Sequence, residues 1–163
     1  MNNIFMTAEL YDSWQVTTMT EIPSGHLNML LQRKLYGIRA SVAGKRGEKS
    51  SRRFDAATVL GIALVWALFK TGLRTEPIRR ILNEITETRD EDAVEAAMSL
   101  RSSDTGYLVI IHELSGDDAS TALDVFPLEQ EISEVLGSNP TASVLLLPVR
   151  NIFARVEKLM DLF

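Results

Sequence analysis

The sequence predicts a mostly α N-terminal half followed by a small α+β C-terminal unit, and three observations carry that expectation. Apolar residues recur at helical spacing through the first hundred residues, a run rich in β-branched residues begins at Tyr107, and the charge changes sign between the halves. Residues 1–84 hold 12 Lys/Arg against 7 Asp/Glu, a net +5, whereas residues 85–163 hold 5 against 15, a net −10. The overall charge of −5 therefore conceals two regions suited to different tasks. At 163 residues, 45% apolar and 24% charged, the chain has the composition of a globular protein and the length of one ordinary domain or two small ones.

Ser13 to Thr20 reads as a short helix with Ser13 as its N-cap, and Pro23 stops it from continuing. A turn at Ile22-Pro23-Ser24-Gly25 leads to a second helix over His26–Leu35, where Leu27, Leu30, Leu31 and Leu35 share one face. Residues 37–53 combine three glycines with a basic cluster and lack helical periodicity, which suits an exposed hairpin or loop. From Arg33 to Arg53 eight cations face the single acid Glu48, a net +7 in 21 residues. Asp55 then caps a long helix that is apolar nearly all round and ends at Gly72, placed to take the left-handed position past the last turn. Thr75 begins another helix, with Pro77 tolerated in its first turn and Ile78, Ile81, Leu82 and Ile85 on one face. A further helix is expected from about Asp90 to Leu100, acidic in its first turn as the macrodipole favours.

After Arg101 the character becomes mixed. Tyr107–Leu114 has strand composition, and Ser115-Gly116-Asp117-Asp118 followed by an apolar run to Phe126 suggests a β-hairpin. Leu128–Leu136 reads as a helix, Val144–Leu147 as a buried strand, and Asn151–Leu162 as a last helix with Ile152, Val156, Leu159 and Met160 on one face.

Several function classes are set aside at this point. Without cysteine the chain can build neither a disulfide framework nor a thiolate metal site. The start, MNNIFMTAELYDSW, has no basic n-region, and the most apolar segment, Ala56–Phe69, falls short of the ~20 residues that span a bilayer, so a cytoplasmic protein is expected. His112-Glu113 and Asp117-Asp118 read as structural or solvated rather than as acid–base or metal groups; no enzyme activity, cofactor or metal is expected. Trp14 and Trp66 are expected in the core.

The order helix, tight turn, helix, basic glycine-rich loop, long core helix, short helix resembles the DNA-binding module of MerR-type transcription regulators. Three stretches carry the likeness: Asp12–Tyr36 with Ile22-Pro23 in the turn and Gln32-Arg33-Lys34-Leu35-Tyr36 at the end of the second helix; Arg52-Arg53-Phe54-Asp55; and Leu68–Leu82 with Gly72 and Ile78. Glu21 stands where that family commonly has Gly in the turn, Asn28 replaces a frequent Arg, and Lys34 replaces a Gly. The resemblance covers about half of the chain and implies a MerR-like winged helix-turn-helix over residues 1–88; the residue patterns add a helical connector over 89–104 and an α+β unit over 105–163, for dimerisation or an effector.

Such a module, binding double-stranded DNA, presents the first turn of its second helix to base edges, here Ser24, Gly25, His26 and Asn28. Asn28 has the donor and acceptor that pair with adenine, and His26 can donate to a base or phosphate. Arg33 and the loop cations Lys45, Arg46, Lys49, Arg52 and Arg53 would lie along phosphates, supplying affinity with little discrimination. A homodimer held by the C-terminal unit is expected, because two half-sites are normally read by a two-fold protein. The alternative is a protein-interaction adaptor that keeps the winged helix without DNA binding. No effector is readable from the residues.

Overall fold

The computed structural model describes residues 9–42, 52–103, 106–113 and 142–163. A short strand β1 (Leu10–Asp12) runs into α1 (Ser13–Thr20), and Glu21-Ile22-Pro23 separates that helix from α2 (Ser24–Gln32). A 3-10 turn at Leu35–Gly37 follows, then β2 (Arg53–Asp55), α3 (Ala56–Lys70), α4 (Thr75–Thr86) and α5 (Ala93–Ser102). Strands β3 (Leu108–Glu113) and β4 (Ala142–Leu147) precede the last helix, α6 (Val149–Met160). The protein is thus mostly helical, with two small antiparallel sheets among the described residues, β1-β2 and β3-β4. Among the described residues no helix is long and apolar enough to cross a membrane.

Helix α3 is the centre of the fold. Eleven of its residues are buried, including Val59, Leu60, Ile62, Leu64, Val65 and Leu68, as its all-round apolar character predicts. Asp55 caps it by accepting from the Thr58 N–H at 2.8 Å, and Gly72, at φ 90°, closes its far end by donating to Phe69 O at 3.0 Å. Helix α5 crosses α3 so closely that a methyl on Gly61 would lie 3.1 Å from the backbone of Ala93 and Val94. The glycine that interrupts an otherwise apolar run is therefore the point of closest helix approach. Helix α4 contributes Ile78, Ile81 and Leu82 to the same core.

Several expectations are corrected in detail. Asp12, one residue earlier than Ser13, caps α1, in a reciprocal box with Gln15: each side chain meets the other's backbone N–H, at 2.9 and 2.8 Å. Helix α2 begins two residues before His26 and stops at Gln32, because Lys34 turns left-handed at φ 50° and drops Leu35 into the 3-10 turn. Helix α5 starts at Ala93, where the Asp92 carboxylate accepts from the N–H groups of Val94 and Glu95. Trp14 is not a core residue: it is 66% exposed and rests edge-on against Phe163, the rings 5.7 Å apart. Trp66 is half-buried.

In the C-terminal part the described partner of β3 is β4, with Leu108 opposite Leu147 and Glu113 opposite Ala142. The apolar run to Phe126 and the helix expected over Leu128–Leu136 lie outside the described residues. The strand expected at Val144–Leu147 is longer by two residues and only partly buried, with Leu147 inward and Leu146 exposed. The apolar face of α6 is also not spare surface. Val149, Phe153, Val156 and Met160 are buried in the chain's own core, where α6 lies across α1 and α3.

Candidate nucleic-acid interface

Helix α2 buries Leu27 and Leu30 and turns its opposite side to solvent. At 100° per residue, Gly25 and Gln32 lie opposite those two leucines, with Asn28 and Met29 to either side; Gly25, Asn28 and Gln32 are exposed and Met29 is half-buried, with Ser24 at the edge of the exposed stripe. The helix opens on Pro23 without a side-chain cap, so the first N–H groups of α2 receive no side-chain acceptor.

His26 departs from this stripe. It sits about half a turn round from Asn28 and stacks at a tilt on Trp66 of α3, the ring centroids 5.1 Å apart. Ser24, Gly25, His26 and Asn28, expected to act as one group, are thus divided by the fold. Gln32 does not belong to that expected group, although its i+4 spacing from Asn28 marks it as the next residue on the same stripe.

Beside α2 runs the base of the basic loop. Arg53 pairs on both sides, with Asp12 of β1 across one edge and with Val42 across the other. Val42 and Arg53 exchange both backbone hydrogen bonds, at 3.2 and 3.1 Å, so the chain leaves and returns at adjacent antiparallel positions. Lys45, Arg46 and Lys49 lie outside the described residues. Arg52 reaches from this base to α2, its Nη1 donating to Asn28 Oδ1 at 3.0 Å. Ser41 binds Asp55 twice, its hydroxyl donating to Oδ2 and accepting from the Asp55 N–H, both at 2.9 Å. Burial works to raise the Asp55 carboxyl, but the donors of Thr58 and Ser41 outweigh it and hold the group below its usual range.

The electrostatics of this edge are one-sided. Arg33, Lys34, Arg39 and Arg53 are exposed and Arg52 half-buried, and among the described residues none has a carboxylate within ion-pair distance. The backbone on either side of α2 is unusual as well. Glu21 and Lys34 both adopt the left-handed conformation, at φ 60° and 50°. Tyr36 does the same at φ 55°, pinned by burial and by its hydroxyl donating to Thr75 O at 3.3 Å.

No protein-family model matches this chain, and no curated protein matches it. Among the described residues no cluster of three or more His, Cys, Asp or Glu is placed to hold a metal ion.

Proposed function

We propose that the protein is a sequence-specific, double-stranded DNA-binding transcription regulator of the cytoplasm that acts as a homodimer, with α2 in the major groove and the β2 edge on the flanking phosphates. One observation carries this reading: an outward stripe of Gly25, Asn28 and Gln32 lies beside five cations that no carboxylate of the described chain neutralises. Asn and Gln offer the paired donor and acceptor that match adenine in the major groove, while guanidinium and ammonium groups bind phosphates. The Arg52–Asn28 bond fixes the position of a phosphate-binding group relative to a base-reading one. The left-handed backbone at Glu21 and Lys34 further supports the likeness to MerR-type modules, since those conformations are the ones glycine takes most easily.

With the face of α6 buried in its own chain, support for a dimer comes instead from the exposed Trp14, Leu162 and Phe163. Their apolar surface is of the kind that self-association covers. Selection of bound duplexes from a random library tests function and symmetry together. Enrichment of an inverted repeat is expected; recovery of unenriched sequence at all salt concentrations contradicts the reading.

A further inference from the structure

A cavity of about 310 Å3 lies between α1, α3 and the start of α6, within the size range of small-molecule sites. Its walls are mainly apolar, from Ala63 and Ala67 of α3, Ile152 and Val156 of α6, and the Trp66 ring. Three charged groups line it: Lys70, Arg155 and Glu21. Glu21 holds the other two, with Arg155 on Oε1 and Lys70 Nζ 3.7 Å from Oε2, so the group carries a surplus of one positive charge. The hydroxyls in the lining are already committed, Thr20 to Val16 O at 2.7 Å and Thr71 to Leu68 O at 2.6 Å. What this space lacks, therefore, is an apolar body and one negative charge.

We propose that this cavity binds a small amphipathic carboxylic acid, its carboxylate on Arg155 and Lys70 and its apolar body against Ala63, Ala67, Ile152 and the Trp66 ring. The carboxylate competes with Glu21 for the two cations. Glu21 is the left-handed residue that ends α1, so occupation of the cavity acts on the α1–α2 turn. The assignment stands independently of whether α2 reads DNA.

The test uses the full chain carrying Trp14→Phe, which leaves the Trp66 indole N–H as its single tryptophan side-chain signal in 1H–15N spectra. The probe is 4-oxo-4-phenylbutyrate, which has a phenyl body and a carboxylate; its primary amide is the control. The acid is expected to shift the indole signal saturably, and to bind roughly tenfold more tightly than the amide. Arg155→Gln is expected to remove most of that preference without weakening the amide, and Lys70→Gln, on a different helix, to act in the same direction. The spectra themselves report whether each variant is folded. Absence of a saturable shift with the acid, equal affinity for acid and amide, or indifference to both substitutions overturns the proposal.

Discussion

The cations on two sides of this molecule are handled differently. At the α2–β2 edge Arg33, Lys34, Arg39, Arg52 and Arg53 stand together without a carboxylate partner among the described residues, whereas Lys70, Arg79, Arg80, Arg101 and Arg155 each meet a glutamate. Arg79 meets two, Glu76 at 3.7 Å and Glu91 at 3.1 Å. Paired surface charges contribute little to stability but leave little net field, while clustered like charges repel one another and project a field outward. Among the described residues Arg74, Arg89 and Lys158 meet no carboxylate either, but they stand far apart in the chain, whereas the unpaired cations beside α2 stand together.

The largest expected effect breaks the contrast directly. Arg52→Glu with Arg53→Glu should weaken DNA binding by at least about a hundredfold, since attraction to phosphates is replaced by repulsion. The matching pair on the other side, Arg79→Glu with Arg80→Glu, should change DNA affinity by less than about threefold while lowering the melting temperature by a few degrees. Gel shift on folded variants measures the first effect and thermal melting the second. Next in size is Asn28→Ala, which should cost about 1 to 3 kcal/mol on the selected site and hardly change random DNA. Competition between the two duplexes checks it.

A smaller effect, of opposite sign, separates charge from backbone. Lys34 is left-handed, a conformation that costs a non-glycine residue about 1 kcal/mol, so Lys34→Gly should raise the melting temperature by about 2 to 4 °C. Its neighbour Arg33 has a right-handed backbone at φ −85°, and Arg33→Gly should lower it. Both substitutions remove one positive charge, so a common drop in DNA affinity alongside opposite melting shifts would identify the charge as what DNA reads.

The smallest effect depends on pH. The hydrogen bond from Arg155 holds the Glu21 carboxyl below its usual range; burial opposes it, and the Arg155 and Lys70 charges add to the lowering. A carboxyl whose pKa is lower in the folded state stabilises the fold above its unfolded pKa and loses that contribution as pH falls through the folded value. Glu21→Gln should therefore lower the melting temperature by only about 1 or 2 °C at pH 7, as Glu21 is half-exposed, and by nothing measurable in strong acid. A difference that persists unchanged below the carboxylate range contradicts this account of the Arg155 interaction.

Much of the fold is legible in the sequence where the signal is local. The span of α3, its Asp55 cap and its Gly72 terminus depend on residues within one turn of one another, and all three stand as expected. What depends on distant partners is not legible. The described partner of Leu108–Glu113 is a strand that begins beyond residue 140, and no local pattern names such a partner. The stripe of α6 is legible from its own residues, but not that α1 and α3 lie beneath it. Residue type alone puts Trp14 inside, yet position 14 falls on the solvent side of α1, opposite the buried Val16, Met19 and Thr20. At the candidate interface, residue types and charge are readable, but the division of α2 is not: His26 belongs with Trp66, and Gln32 belongs with Asn28.

The most direct test of the central claim is the salt dependence of binding to the selected duplex, measured for the wild type and for Arg53→Ala after both are shown to melt alike. If unpaired cations of the β2 edge lie on phosphates, log K falls linearly with log salt, and the substitution flattens that slope by about 0.9 for each phosphate no longer neutralised per protomer while leaving sequence preference intact. An unchanged slope in the folded variant, or no DNA binding by the folded wild type at low salt, would contradict the account.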